Sequence, residues 1–255
     1  MKPSTRKPPA EQRARSHSRL AGVLILLAVA VVGCGGKEEA GDGARPALSP
    51  KALMERAAER ERVGAYAEAI EDLQKALQAE PENTDAHEQV ARVYDAWDKR
   101  EEAIAAYQKV LGLKPGRESA RMGLAAVYSR QTRNLLAASE YLKVAKTRPG
   151  DAELHFKIAL EYWYAQNLLE TVRHYQKVIE LVPDYVQAHL NLASVYERQK
   201  KWDLAMRELD LAIKLGREKN DEQAIAIAER KLKFIQGRES MTAEELDRKT
   251  QPPFN

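Results

Sequence analysis

Four prolines, Pro81, Pro115, Pro149 and Pro183, stand 34 residues apart with no insertion or deletion between them. A step kept this strictly calls for equal units that each bury a face on the next, rather than for one central core. Rows of 34 residues beginning at Pro50, Thr84, Glu118, Ala152 and Val186 bring Ala57, Ala91, Ala125, Ala159 and Ala193 into one column at place 8. Place 20 holds Ala69, Ala103, Ala137 and Ala205, with Thr171 as the exception. Tyr94, Tyr128, Tyr162 and Tyr196 share place 11, while Leu73, Tyr107, Tyr141, Tyr175 and Leu209 share place 24.

Within each row the apolar places 4, 7, 8 and 11, then 20, 24 and 27, recur at helical spacing, so a row reads as two amphipathic helices broken near places 15–17. Alanine at places 8 and 20 lets the pair approach closely, and the tyrosines fill the space at its edge. The place-32 proline has no amide hydrogen and disfavours helix in the residue before it, so it ends the second helix of its row.

These columns resemble the tetratricopeptide repeat family, with its 34-residue period, alanines at 8 and 20, aromatics at 11 and 24 and proline at 32. The resemblance spans residues 50–217. It implies an all-α, right-handed superhelical solenoid of five helix hairpins over residues 49–217, closed by a capping helix at 218–237. Place 4, often tryptophan in the family, is Leu53, His87, Arg121, His155 and His189 here.

Ser49 is placed to cap the first helix, with Pro50 at its first position. Arg56 and Arg60 occupy places 7 and 11 of row one, apolar elsewhere, as expected of a terminal unit that nothing precedes. At the far end Arg217 replaces the expected proline. Ile225, Ala228, Leu232 and Ile235 then form one apolar stripe, read as a capping helix ended by Gly237. Thr242 with Glu245 suggests a capping box for one more short helix before a frayed tail, the whole spanning 238–255.

Residues 1–33 combine six basic side chains with the apolar run 20–32, the layout of a secretory signal and too short to span a bilayer. Val31-Val32-Gly33-Cys34 resembles the lipobox of bacterial lipoproteins, which implies a lipid-bearing Cys34 at the mature N-terminus. Gly35, where the family's retention signal would place Asp, implies the outer membrane of a double-membraned host. Residues 34–48 read as a flexible tether. The whole chain has 41 basic and 38 acidic side chains; without residues 1–33 these become 35 and 37, which leaves no basic excess for nucleic acid.

No catalytic motif occurs, and the one cysteine is taken by the lipobox, so the sequence points to no enzyme, cofactor or metal site. His87, His155 and His189 share place 4, one or two rows apart, too far from one another for one metal ion, and read as substitutes for a packing aromatic; His174 reads as isolated. In the family the first helices line the binding curve. There the sequence puts Met122, Ala126, Phe156, Leu160, Trp163, Tyr164 and Leu190. Phe156, Leu160 and Trp163 make a second apolar stripe on one helix, which needs a second partner: a bound helix or extended peptide, or else the tight inner curve or the segment 241–255 of the chain itself. The resulting expectation is a lipid-anchored scaffold of the cell envelope, resembling the pilotins that assemble the type IV pilus secretin. The alternatives are an accessory lipoprotein of β-barrel assembly or cell-wall synthesis, and a cytoplasmic adaptor.

Overall fold

The computed structural model describes residues 48–239; the signal segment, Cys34 with its tether, and the tail with its Thr242–Glu245 box lie outside the described residues. Described residues form eleven helices and no strand. They are α1 (Pro50–Arg62), α2 (Tyr66–Ala79), α3 (Thr84–Ala96), α4 (Arg100–Leu113), α5 (Glu118–Arg130), α6 (Asn134–Ala145), α7 (Ala152–Tyr164), α8 (Leu168–Leu181), α9 (Val186–Arg198), α10 (Trp202–Lys219) and α11 (Glu222–Glu239). Every odd helix up to α9 starts at the first residue of its row, and helices consecutive in the chain pack against one another.

Ser49 caps α1 as its residue type suggests, its Oγ accepting from Ala52 N at 3.2 Å. The turn inside each hairpin passes through one left-handed residue: Gly64, Asp98, Thr132, Gln166 and Lys200, with φ between 57° and 78°. All five hold place 15. Only Gly64 adopts that conformation without steric strain, so four rows carry a backbone cost in their turns.

Proline decides where the second helices stop. Helices α2, α4 and α8 end two residues before Pro81, Pro115 and Pro183, and α6 ends four before Pro149. Row five has Arg217 instead, and α10 runs on to Lys219, where left-handed Asn220 closes it and Asp221 N donates to Gly216 O at 2.8 Å. The fifth unit is therefore longer than the proline step suggests. Helix α11 likewise continues through Gly237 to Glu239, because a lone glycine costs a helix only about 1 kcal/mol and nothing else stops it there. Of the expected stripe, Ala228 and Ile235 are buried, while Ile225 and Leu232 are half-buried at its margin.

Both alanine columns are buried along the whole array. Thr171, the exception, is buried too, and its hydroxyl donates to Asn167 O at 2.8 Å, so the polar atom is satisfied inside its own helix. The place-24 tyrosines reach into the following unit. Tyr107 lies over the backbone of Gly123, and the Tyr175 hydroxyl accepts from Asn191 Nδ2 at 3.0 Å. Burial pushes the Tyr107 phenol up to about 12.

Row one closes differently from the expected solvated face. Arg56 and Arg60 fold over their own hairpin and clamp Asp72, whose side chain is fully buried, at 2.6 Å each. A guanidinium pair neutralises the one carboxylate that the first unit buries, which the exposed-cap reading did not anticipate.

Candidate functional site

The second apolar stripe of α7 meets two fates. Phe156 stacks on Tyr185 with ring centroids 5.2 Å apart and meets the edge of Tyr175 at 5.5 Å, so two tyrosines of its own row half-cover it. Leu160 packs against the same C-terminal core. Leu190 is only 2% exposed and belongs to that core, so it offers nothing to a partner. Met122 is half-buried against the core of rows two and three, and Ala126 is half-buried beside it. Tyr164, at 63% exposure, and Trp163 remain available.

Trp163 opens into a shallow trough of about 460 Å³ that sequence reasoning did not assemble. Its other walls are Ser194 and Arg198 of α9, Trp202 of α10, and Phe234 and Arg238 of α11. Arg198 sits 5.3 Å above the Trp163 ring, and Arg238 lies 5.6 Å from the rings of both Trp202 and Phe234. Phe234 is 52% exposed. Three aromatic faces lined by two guanidinium planes form an amphipathic surface suited to an acidic or aromatic peptide segment. The columns of the first helices could not show it, since three of its residues come from α10 and α11. The available signal was Phe234, an aromatic residue lying off the buried stripe of α11.

Comparison with known proteins bears on this fold. Residues 156–224 match the family described as tetratricopeptide repeat, and residues 44–126 match one described as bacterial transcriptional activator domain. Among solved structures, the MamA RS-1 ArsTM double mutant is 21% identical, with a TM-score of 0.60, covering 68% of this chain and 97% of that one. MamA 41-end from Desulfovibrio magneticus RS-1 is also 21% identical, with a TM-score of 0.58 and coverage of 66% and 96%. The fold is a tetratricopeptide-repeat solenoid. YrrB, described as a TPR protein with an unusual peptide-binding site, is 20% identical with a TM-score of 0.58, covering 70% of this chain and 90% of that one. No curated protein matches the sequence.

In this tetratricopeptide array the place-4 residues of rows two to five also make hydrogen bonds, while His155 and His189 stay buried and His155 stacks on His174. Nε2 of His87, His155 and His189 lies 2.9, 3.2 and 3.0 Å from the carbonyl oxygens of Pro81, Pro149 and Pro183, and Arg121 Nη2 donates to Pro115 O at 2.6 Å. A carbonyl only accepts, so each ring carries its proton on Nε2. The column ties each row to the turn that ends the one before it.

The same residues reach a second partner at place 23 of their own rows: Arg121 to Glu140 at 3.0 Å, and His189 Nδ1 to Glu208 at 2.7 Å. In row four that partner is His174, which therefore is not isolated: its Nδ1 stands 3.1 Å from His155 Nδ1. Burial, the neighbouring His155 and the charge of Arg173 push His174 down to about 4. Among the described residues no three His, Cys, Asp or Glu side chains are grouped to hold a metal ion, and no helix is long and apolar enough to cross a membrane.

Proposed function

We propose that this chain is a non-enzymatic, lipid-anchored scaffold of the bacterial cell envelope that captures a protein segment in the Trp163–Trp202–Phe234 trough. The observation that carries the reading is the trough itself: the faces of Trp163, Trp202 and Phe234 stay part-open together beside two guanidinium groups. A groove of this kind also accords with YrrB, whose description names a peptide-binding site. Lipid attachment at Cys34 and the periplasmic face of the outer membrane rest on the lipobox-like sequence, and the captured segment is proposed to belong to a type IV pilus secretin.

Two experiments test the parts separately. Metabolic labelling with palmitate is expected to mark the wild-type chain and not Cys34→Ser; equal labelling of both overturns the anchor. Affinity purification from solubilised membranes is expected to recover a secretin with the wild type and lose it with Trp163→Ala/Phe234→Ala at unchanged melting temperature. Recovery of β-barrel insertion or cell-wall synthesis machinery in its place would move the scaffold to that assembly.

A further inference from the structure

Away from the trough, helices α6, α7 and α8 enclose a cleft of about 920 Å³, a size that suits a small organic molecule. Leu142, Pro149 and Tyr162 supply its apolar wall. Four cationic side chains, Lys143, Lys146, Arg173 and Lys177, line it against two carboxylates, Glu170 and Glu180. Lys143 is held by Glu140 at 2.6 Å, Lys177 by Glu180 at 2.8 Å and Arg173 by Glu170 at 3.5 Å. Lys146 makes no ion pair among the described residues, so the cleft carries uncompensated positive charge.

Row four differs from its neighbours at the floor of this cleft. Rows three and five fill places 4 and 23 with a donor and a carboxylate, Arg121 with Glu140 and His189 with Glu208, and their charges are matched internally. Row four has His155 and His174, with no acid between them. The proton positions follow in order. His155 gives Nε2–H to Pro149 O, so its Nδ1 must accept; His174 therefore donates through Nδ1 and turns Nε2 toward the cleft. The nearest acid to that nitrogen is Glu170 at 4.0 Å, beyond hydrogen-bond distance.

We propose that this cleft binds an organic anion of small-molecule size, its apolar body against Leu142, Pro149 and Tyr162 and its anionic group on His174 Nε2 with Lys146 and Arg173 beside it. The anionic group supplies, one side chain further out than His174, the negative charge that Glu140 and Glu208 supply in the adjacent rows. Binding and protonation of His174 are coupled: an anion at Nε2 favours the imidazolium, whose second N–H then points at the ligand. The groups facing His174 are His155 and Tyr162 of α7, Glu170 and Arg173 of α8, and Lys143 and Lys146 of α6. Burial and the surrounding cations keep the ring neutral while the cleft is empty of anion, so affinity rises as pH falls.

Benzenesulfonate is a suitable probe, because it stays singly charged across the relevant range and any pH dependence then belongs to the protein. Calorimetric titration of the full chain is expected to give binding about tenfold tighter at pH 5 than at pH 7.5, with the His174 ring resonances shifting toward the protonated form. Neutral benzyl alcohol is expected to bind with no pH dependence. His174→Glu restores the residue type of rows three and five and is expected to fold with an equal or higher melting temperature while losing at least tenfold in benzenesulfonate affinity. Lys146→Gln leaves the histidine pair in place and is expected to weaken binding severalfold. Undiminished binding to His174→Glu, a pH-independent affinity, or benzyl alcohol binding as tightly as benzenesulfonate would each overturn the proposal.

Discussion

Arg56 grips Asp72 through two parallel hydrogen bonds, Nε to Oδ2 at 2.7 Å and Nη2 to Oδ1 at 2.6 Å, although the carboxylate is wholly out of solvent. Arg60 adds a third at 2.6 Å, so three of the carboxylate's lone pairs are engaged. Burial drives the Asp72 carboxyl up, but the hydrogen bonds and charge of Arg56, with Arg60 and Lys75, outweigh it and hold the group below its ordinary value.

Asp72→Asn is therefore expected to destabilise the array by about 1–3 kcal/mol at pH 7, the worth of hydrogen bonds to a charged group, because both arginines are part-exposed and can turn to water. A carboxyl with a depressed folded value contributes its stability above its unfolded value and loses it as pH falls through the folded one. Urea unfolding of wild type and variant should thus begin to converge below about pH 4 and meet once the pH lies below the folded value. A gap that persists there would show that packing, not charge, sets the cost.

The turn column makes a prediction of opposite sign at two positions. Thr132 is β-branched and sits at φ 57°, so Thr132→Gly is expected to stabilise by about 0.5–1 kcal/mol after the entropy of glycine is deducted. Gly64→Ala, at φ 78° with nothing near the added methyl, is expected to destabilise by about 1 kcal/mol through backbone strain alone. Thermal unfolding of the two variants checks both.

Gly123 has no room for a side chain: a Cβ there falls well inside contact distance of the Tyr107 ring and hydroxyl. Gly123→Ala is expected to cost about 1–3 kcal/mol. Tyr107→Leu, the residue type of Leu73 and Leu209 at the same place, should make the alanine tolerable, so a double-mutant cycle should show the two changes to be less than additive.

Two histidines in adjacent rows give stability opposite pH slopes. Burial lowers His189, but the Glu208 hydrogen bond, the Pro183 carbonyl and the Glu208 charge outweigh it and raise the ring. Its contribution is full below the unfolded value near 6.5 and is lost as pH rises through the folded one. His174, held at about 4, is neutral in the folded state while the unfolded chain takes up a proton below about 6.5, so stability falls between those values, by on the order of 3 kcal/mol in all. His174→Glu should remove the acid-side fall, and Glu208→Gln should remove the fall on the alkaline side. Chemical unfolding from pH 4 to 8 measures both slopes.

Much of the architecture was legible because its causes are local and repeated. Helical spacing, the small-residue columns at Ala57 and Ala69 and their successors, and a proline that cannot continue a helix act within about 34 residues of chain, and the rows repeat them. Row boundaries followed to the residue, and the one place without proline, Arg217, is where the second helix overran its expected end.

What the residues alone determined is the period, the helix pairs and which faces touch, since these depend on side-chain size and backbone chemistry at fixed offsets. Only the stacked structure decided which of the apolar residues stay open. Leu190 and Phe156 share a column, yet Leu190 is buried and Phe156 is half-covered by Tyr175 and Tyr185, and the trough borrows Trp202 and Phe234 from helices outside that column. The partnership of His155 with His174, and of Arg56 with Asp72, likewise emerged only when two helices were brought side by side, because charge and proton sharing depend on distances of about 3 Å that no linear spacing encodes.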